Sequence, residues 1–374
     1  MIASYKATDS WGSSGRRVLR SVLLVVCSLL LAEVTSRGLF SVGHLFWRAK
    51  GMDDSSQRIV WLKRHSRGQR FVYAFDIYHP TRGWAVTPGL HDLPVFENKI
   101  LNSNSRGVRG KAEYDYARQP KRNRIVTLGD SFTFGDEVSD DETYSSNLAR
   151  LLPNTEVLNL GVHSYGHDQM LLYLKEEGIR YHPDLVVLGY VWFDTTRNLL
   201  SFNDFAKPKF ELTRDGLQLT HVPVPTPASV LAWEPFRLKI LDLAVMAQER
   251  VRWVSGRNQR RAEEVTAAIF DELIKTTREG GAVPVFVYLP VLQEIADPEE
   301  GLTQNEDFLA RYCRDRAAVC LFLRPRFREQ ISKGATFNTR SHWLAPEHLL
   351  AAQAMRDLIY ERRLLGADST GQPR

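Results

Sequence analysis

From Arg124 onward the chain alternates short apolar runs with stretches whose apolar residues recur at helical spacing. That alternation is the mark of parallel strands joined by crossover helices, because strands covered on both faces read as unbroken apolar runs. The predicted strands are Ile125 to Leu128, Glu156 to Leu160, Asp184 to Trp192, Val283 to Leu289 and Val319 to Leu323. Helices are predicted over Thr143 to Leu152, Gln169 to Arg180, Ala262 to Glu279 and Glu306 to Arg314, with a last one from about Pro346 to Arg363. One insertion interrupts the order, near residues 205–225. Its segment Phe210 to Thr220 alternates apolar and polar residues around Asp215-Gly216, as a β-hairpin does, and an amphipathic helix is expected after it, over Phe236 to Val254.

The N-terminus is of another kind. Ser21 to Ala32 is uncharged and apolar, and Lys6, Arg16, Arg17 and Arg20 precede it, which keeps residues 1–20 as a tail in the cytoplasm and sends the rest of the chain across a membrane. The run is short for a span, and Glu33 interrupts it. An uncleaved anchor over residues 21–40 is the preferred reading; a cleaved signal peptide is the rival, with Val34-Thr35-Ser36 an imperfect small-residue site. Residues 41–120, rich in Trp, Arg, His, Pro and Gly, lack long periodicity and read as an irregular lead-in packing on the main domain of residues 121–365. A polar tail, residues 366–374, is expected to be disordered.

The basic residues behind the net charge of +5 are scattered, so nucleic acid is excluded as a partner. Of three cysteines, Cys27 lies in the apolar run, while Cys313 and Cys320 are near neighbours able to pair in an oxidising compartment but read as ordinary buried thiols. No Cys or His spacing points to a metal, and no cofactor is expected.

In an open parallel sheet, ligands bind beyond the carboxyl ends of the strands. The loop after the first strand reads Gly129-Asp130-Ser131-Phe132-Thr133-Phe134-Gly135. A serine between strand and helix can project its hydroxyl into the crevice with its N–H facing an oxyanion, or it can cap the helix. Spacing alone leaves both open. The segment resembles the first block of the SGNH (GDSL) hydrolases, and further segments come in that family's order. These are Asn104-Ser-Arg-Gly-Val-Arg-Gly110, Arg124 to Gly135, Asn159-Leu-Gly-Val162 with Gln169, Pro183 to Gly189, and Ser341-His342-Trp343-Leu344-Ala345-Pro346-Glu347-His348. The likeness covers most of residues 80 to 365, and its flanking text resembles membrane-attached bacterial members.

The resemblance implies an α/β, flavodoxin-like three-layer sandwich with a parallel five-stranded sheet, here with an N-terminal membrane helix. It also implies ester chemistry, often on acyl groups of polysaccharides. Ser131 matches the nucleophile and His342 the base, an imidazole that takes the hydroxyl proton and returns it to the leaving group. Backbone N–H groups of Ser131 and Ser164 would form the oxyanion hole. Asp130 and Asp194 match family positions and, with Gly129 and Asn198, are expected to support the site, while Gly135 serves backbone geometry and His348 is structural. The sequence departs from the family at three points. Thr339 and Arg340 stand where the acid two or three residues before the histidine is expected, Phe193 replaces the oxyanion-hole asparagine, and Ser164 replaces a glycine. Asn198 and His163 are the nearby polar candidates to compensate, and Trp84, Trp192 and Trp343 either line a sugar surface or belong to the core.

These residues are compatible with two functions. One is an exported esterase or O-acyltransferase, single-pass in a bacterial inner membrane with its main domain in the periplasm, acting on acyl esters of envelope or exported polysaccharide. The other is a catalytically impaired relative that binds a glycan or an assembly partner.

Overall fold

The computed structural model describes residues 10–42, 46–48, 50–296, 301–337 and 342–365. Five strands form the central sheet: β1 (Asn123–Gly129), β2 (Thr155–Gly161), β3 (Leu185–Tyr190), β4 (Val283–Tyr288) and β5 (Val319–Phe322). They are all parallel, in the order β5-β4-β3-β1-β2. This is the flavodoxin-like order, with its topological switch between β1 and β3, so a crevice is expected where the loops after those strands diverge.

The inner strands β1, β3 and β4 are mostly buried because both their faces are covered, whereas β5 at the sheet edge is half-buried. Val126, Leu128 and Leu188 point into one core and Ile125, Leu185 and Val187 into the other, following the two-residue period of a strand. Each such residue is at most 2% exposed, and truncating one, for example Leu188→Ala, costs about 2–5 kcal/mol.

The helices that matter below are α1 (Ser10–Ser41), α2 (Asp54–His65), α3 (Ser131–Phe134), α4 (Tyr144–Leu151), α5 (His167–Glu176), α6 (Lys239–Val254), α7 (Arg257–Glu279), α8 (Gln304–Arg316) and α9 (Ala345–Glu361). The α5 and α7 side carries the first core, and α4 with α9 the second. The inserted hairpin pairs Lys209–Thr213 with Gly216–Thr220 and packs on α7.

Several expectations are corrected. The lead-in is not irregular: it contains α2 and two antiparallel ribbons, Asp76–His79 with Gly83–Val86 and Leu93–Val95 with Lys99–Leu101. Its apolar residues Trp61, Phe75 and Trp84 are buried in the α5 and α7 core; they face a neighbouring surface rather than each other at a regular spacing, so no period betrays them. Residues 10–20 form the helical start of α1, and the expected tail at 366–374 lies outside the described residues. The helix expected from Phe236 begins at Lys239. Cys313 and Cys320 form a disulfide that ties the end of α8 to β5.

Candidate active site

The turn after β1 is built by close backbone approach. A Cβ on Gly129 would stand 1.9 Å from Thr133 Oγ1, and one on Gly161 2.3 Å from the Phe134 nitrogen, so neither position accepts a side chain without displacement. Asp130, not Ser131, caps α3: its carboxylate accepts from the Phe132 N–H at 3.0 Å. The capping role is therefore taken, and the Ser131 hydroxyl at the first helical position is left for other partners. Gly135 closes the short helix in a left-handed conformation, as glycine does at such ends.

His342 Nε2 lies 2.9 Å from Ser131 Oγ. The other ring nitrogen, Nδ1, faces Glu137 Oε1 at 3.6 Å. A second carboxylate, Asp136, is buried 4.0 Å from Nε2 and accepts a hydrogen bond from the Tyr73 hydroxyl at 2.7 Å; burial raises its pKa, against the lowering pull of His163 and His342. A hydroxyl at one ring nitrogen and a carboxylate at the other is the arrangement in which imidazole accepts a proton while its charged form is stabilised.

Asp136 and Glu137 are held in place by the lead-in. Arg109, buried, donates to the carbonyls of Phe134, Gly135 and Val138 at 2.5–2.7 Å and pairs with Asp140 at 3.1 Å. Glu137 sits within this clamped loop at a φ of +72°, a left-handed conformation uncommon for a residue with a Cβ. Arg109 itself belongs to the Asn104 to Gly110 motif, whose turn is tied by Asn104 Oδ1 accepting from the N–H groups of Arg106 and Val108.

Beneath the serine lies a second charged group. Arg197 Nη1 is 2.5 Å from Asp194 Oδ1 and 3.2 Å from Asp130 Oδ2, tying the loop after β1 to the loop after β3. Burial, then the nearby Asp130 carboxylate, pushes Asp194 well above the usual carboxylate range, and Arg197 opposes that. Asp130 and Asp194 thus lie together beside the serine.

Asn198 does not support the serine. Its amide donates to His167 Nδ1 at 3.0 Å and Thr266 Oγ1 at 2.7 Å, because one residue past Arg197 the chain faces α5 and α7. His163 is likewise occupied, 2.7 Å from Asp76; burial works to lower its pKa, but Asp76 together with Asp136 and Asp204 outweighs that and raises it. Ser164 follows β2 at a φ of +60°. Phe193 brings no donor; its ring lies 6.3 Å from Phe132 and under the Arg197 guanidinium at 4.7 Å. Trp84 and Trp343 are core residues, while Trp192 is 37% exposed. His348 accepts from the Tyr144 N–H, and burial lowers it to about 3. Thr339 and Arg340 lie outside the described residues.

The residues that sequence reasoning missed are Glu137, Asp136, Arg197, Arg109 and Tyr73. The available signal was the Asp136-Glu137 pair directly after the serine's own helix. Among the described residues no cluster of three or more His, Cys, Asp or Glu side chains is arranged to hold a metal.

No family model matches the chain, and no curated protein matches it either. Solved structures similar to it include a member of the lipolytic protein G-D-S-L family from Veillonella parvula, at 11% identity and a TM-score of 0.38, over 63% of this chain and 96% of that one. Another is Axe2, an acetylxylan esterase from Geobacillus stearothermophilus, at 13% identity and a TM-score of 0.39, over 63% and 94%. These likenesses are distant, and the fold rests on the strand order itself.

Proposed function

We propose that this protein is a membrane-tethered serine esterase or O-acyltransferase acting on acyl esters of envelope or exported polysaccharide. The observation that carries the reading is the 2.9 Å contact between Ser131 Oγ and His342 Nε2, with Glu137 at the opposite ring nitrogen. Ser131 Oγ attacks the ester carbonyl carbon and its proton passes to His342 Nε2. The carbonyl oxygen, now an anion, is held by the N–H groups of Ser131 and Ser164. Collapse breaks the carbonyl–alkoxy bond, and the leaving alcohol departs with the proton from His342. Water, or a sugar hydroxyl in a transferase, then gives its proton to His342 and attacks the acyl-Ser131 ester; the acyl carbon–Oγ bond breaks and Oγ takes the proton back from His342, which restores the free serine.

Gly129, Asp130 and Asp194 position the serine in this scheme, the last two through Arg197. Export is supported by α1, whose residues Gly15–Ser41 are long and apolar enough to cross a membrane, by the arginines preceding its apolar run, and by the disulfide, a bond typical of oxidising compartments. The polysaccharide class rests on the motif resemblance, with the exposed Trp192 beside the crevice a suitable sugar platform.

Phe193 favours a second reading, in which the crevice binds a glycan without cleaving it, since a hydrocarbon ring stands where a donor is needed. A fluorophosphonate probe on the full chain in detergent separates the two. The esterase reading expects labelling that disappears in both Ser131→Ala and His342→Ala; a folded protein that stays unlabelled overturns it in favour of binding.

A further inference from the structure

We infer that the segment from Trp233 to Leu241 is a second membrane-contacting element, seated in the headgroup boundary of the phospholipid bilayer beside α1. The inference rests on α1 being a membrane helix and adds a surface to it.

The uncharged run Ser21–Ala32 rises roughly 18 Å at about 1.5 Å per residue, well short of the roughly 30 Å hydrocarbon core. The helix itself, Gly15–Ser41, is long enough to cross, so the charged residues flanking the run, Glu33 at its far end among them, fall at the boundary of the hydrocarbon and need partners there. At that end stands Glu33, and its carboxylate is not left to lipid. It accepts from the Ile240 N–H at 3.0 Å and pairs with Arg37 at 2.8 Å. Arg37 in turn donates to the Arg237 carbonyl at 3.2 Å. One face of α1, with Ser36 and Phe40 a helical turn apart, is buried where α1 packs on α6. The start of α6 is therefore fixed at the height where α1 leaves the membrane.

The surface that the domain presents at that height is apolar. Trp233 is 73% exposed, Phe236 76%, Leu241 57% and Leu238 49%, and these residues neighbour Arg237 and Ile240 in the chain. The two rings stand 6.1 Å apart, edge to face. The acidic groups among them are paired within the protein: Glu234 with Arg58 and Lys239, Asp242 with Arg58 and Arg237. Glu234 within the segment and Asp242 just after it are thus neutralised by cations rather than set against anionic headgroups, while Arg37 and Arg237 remain about half exposed. Aromatic rings with arginines at a helix–membrane junction are the composition of an interfacial anchor.

The test uses the full chain with Cys27→Ser, carrying one environment-sensitive fluorophore at Leu24→Cys, Trp233→Cys, Phe236→Cys or Arg362→Cys. The last position lies at the end of α9, across the sheet from α6. The protein is reconstituted into phosphatidylcholine–phosphatidylglycerol vesicles with or without lipids bearing a spin-label quencher near the headgroup end of the acyl chain. A group buried about 5–10 Å into the boundary is expected to lose about half its emission or more, so positions 24, 233 and 236 are quenched and 362 is not. Quenching at 24 with none at 233 and 236 overturns the inference and leaves the anchor standing. Absence of quenching at 24 as well overturns both. A blue shift at 233 and 236 without lipid quenching means that protein, such as a second copy of the chain, covers this face, and that also overturns it.

Discussion

Glu137 Oε1 and His342 Nδ1 face each other at 3.6 Å, from a loop that follows the nucleophile's own helix. In the proposed mechanism the acid partner of His342 is Glu137, some 200 residues away in sequence from the position before His342 that the resemblance implies. Glu137→Gln keeps the shape and removes the charge; it is expected to lower kcat for a chromogenic acetate ester by about 10²–10⁴-fold, the range seen when a triad acid loses its charge. Asp136 is bonded to Tyr73 and lies 4.0 Å from the other ring nitrogen, so Asp136→Asn is expected to cost less than about tenfold, below the roughly 10²–10⁴-fold of a group that takes part in general acid–base catalysis. Steady-state kinetics on the two variants assign the role, and a larger loss in Asp136→Asn would transfer it.

Phe193 stands where the resemblance implies an oxyanion-hole asparagine, and its ring brings no donor. If two backbone N–H groups carry the oxyanion, adding a third donor has room to help. Phe193→Asn is expected to raise kcat, by up to about 10² given that one oxyanion donor is worth roughly 10²–10³. An unchanged or lower rate in a folded variant would mean that the crevice is not shaped around an oxyanion at that position.

The parts that were legible in sequence and those that were not differ physically. The five strands could be read because the inner ones are buried on both faces and all five carry a short apolar run. Ser131 and His342 lie in local motifs, and the structure brings the two together. Glu137 was hidden because its approach depends on a left-handed turn and on Arg109 binding three carbonyls from a different region; no local pattern encodes either. Asn198 misled for the converse reason. It is near Asp194 in sequence, yet one turn of helix directs it to α5 and α7.

Arg197 bridges two buried carboxylates, so removing it leaves charge without a partner. Arg197→Leu is expected to destabilise the fold by about 3–5 kcal/mol, as for other broken buried pairs. Arg197→Leu combined with Asp194→Asn is expected to recover part of that loss by removing one of the stranded charges. Denaturant unfolding of the single and double variants measures the difference, and a double variant no more stable than the single would deny the coupling.

Two buried histidines make the fold less stable in acid. Burial holds His167 and His348 each at about 3, with Arg197 adding to the effect at His167 and Arg109 at His348. The unfolded chain, with imidazoles near 6.5, binds those protons first. Stability from these two groups is therefore complete above about pH 6.5 and declines as pH falls from there towards about 3, by about 1.4 kcal/mol per pH unit for each histidine. His348→Asn is expected to remove one histidine's share of that slope while costing stability at neutral pH through the contact with the Tyr144 N–H. Unfolding free energies measured between pH 7 and pH 4 on both proteins give the two slopes. Parallel slopes would mean that His348 takes up its proton within the folded state.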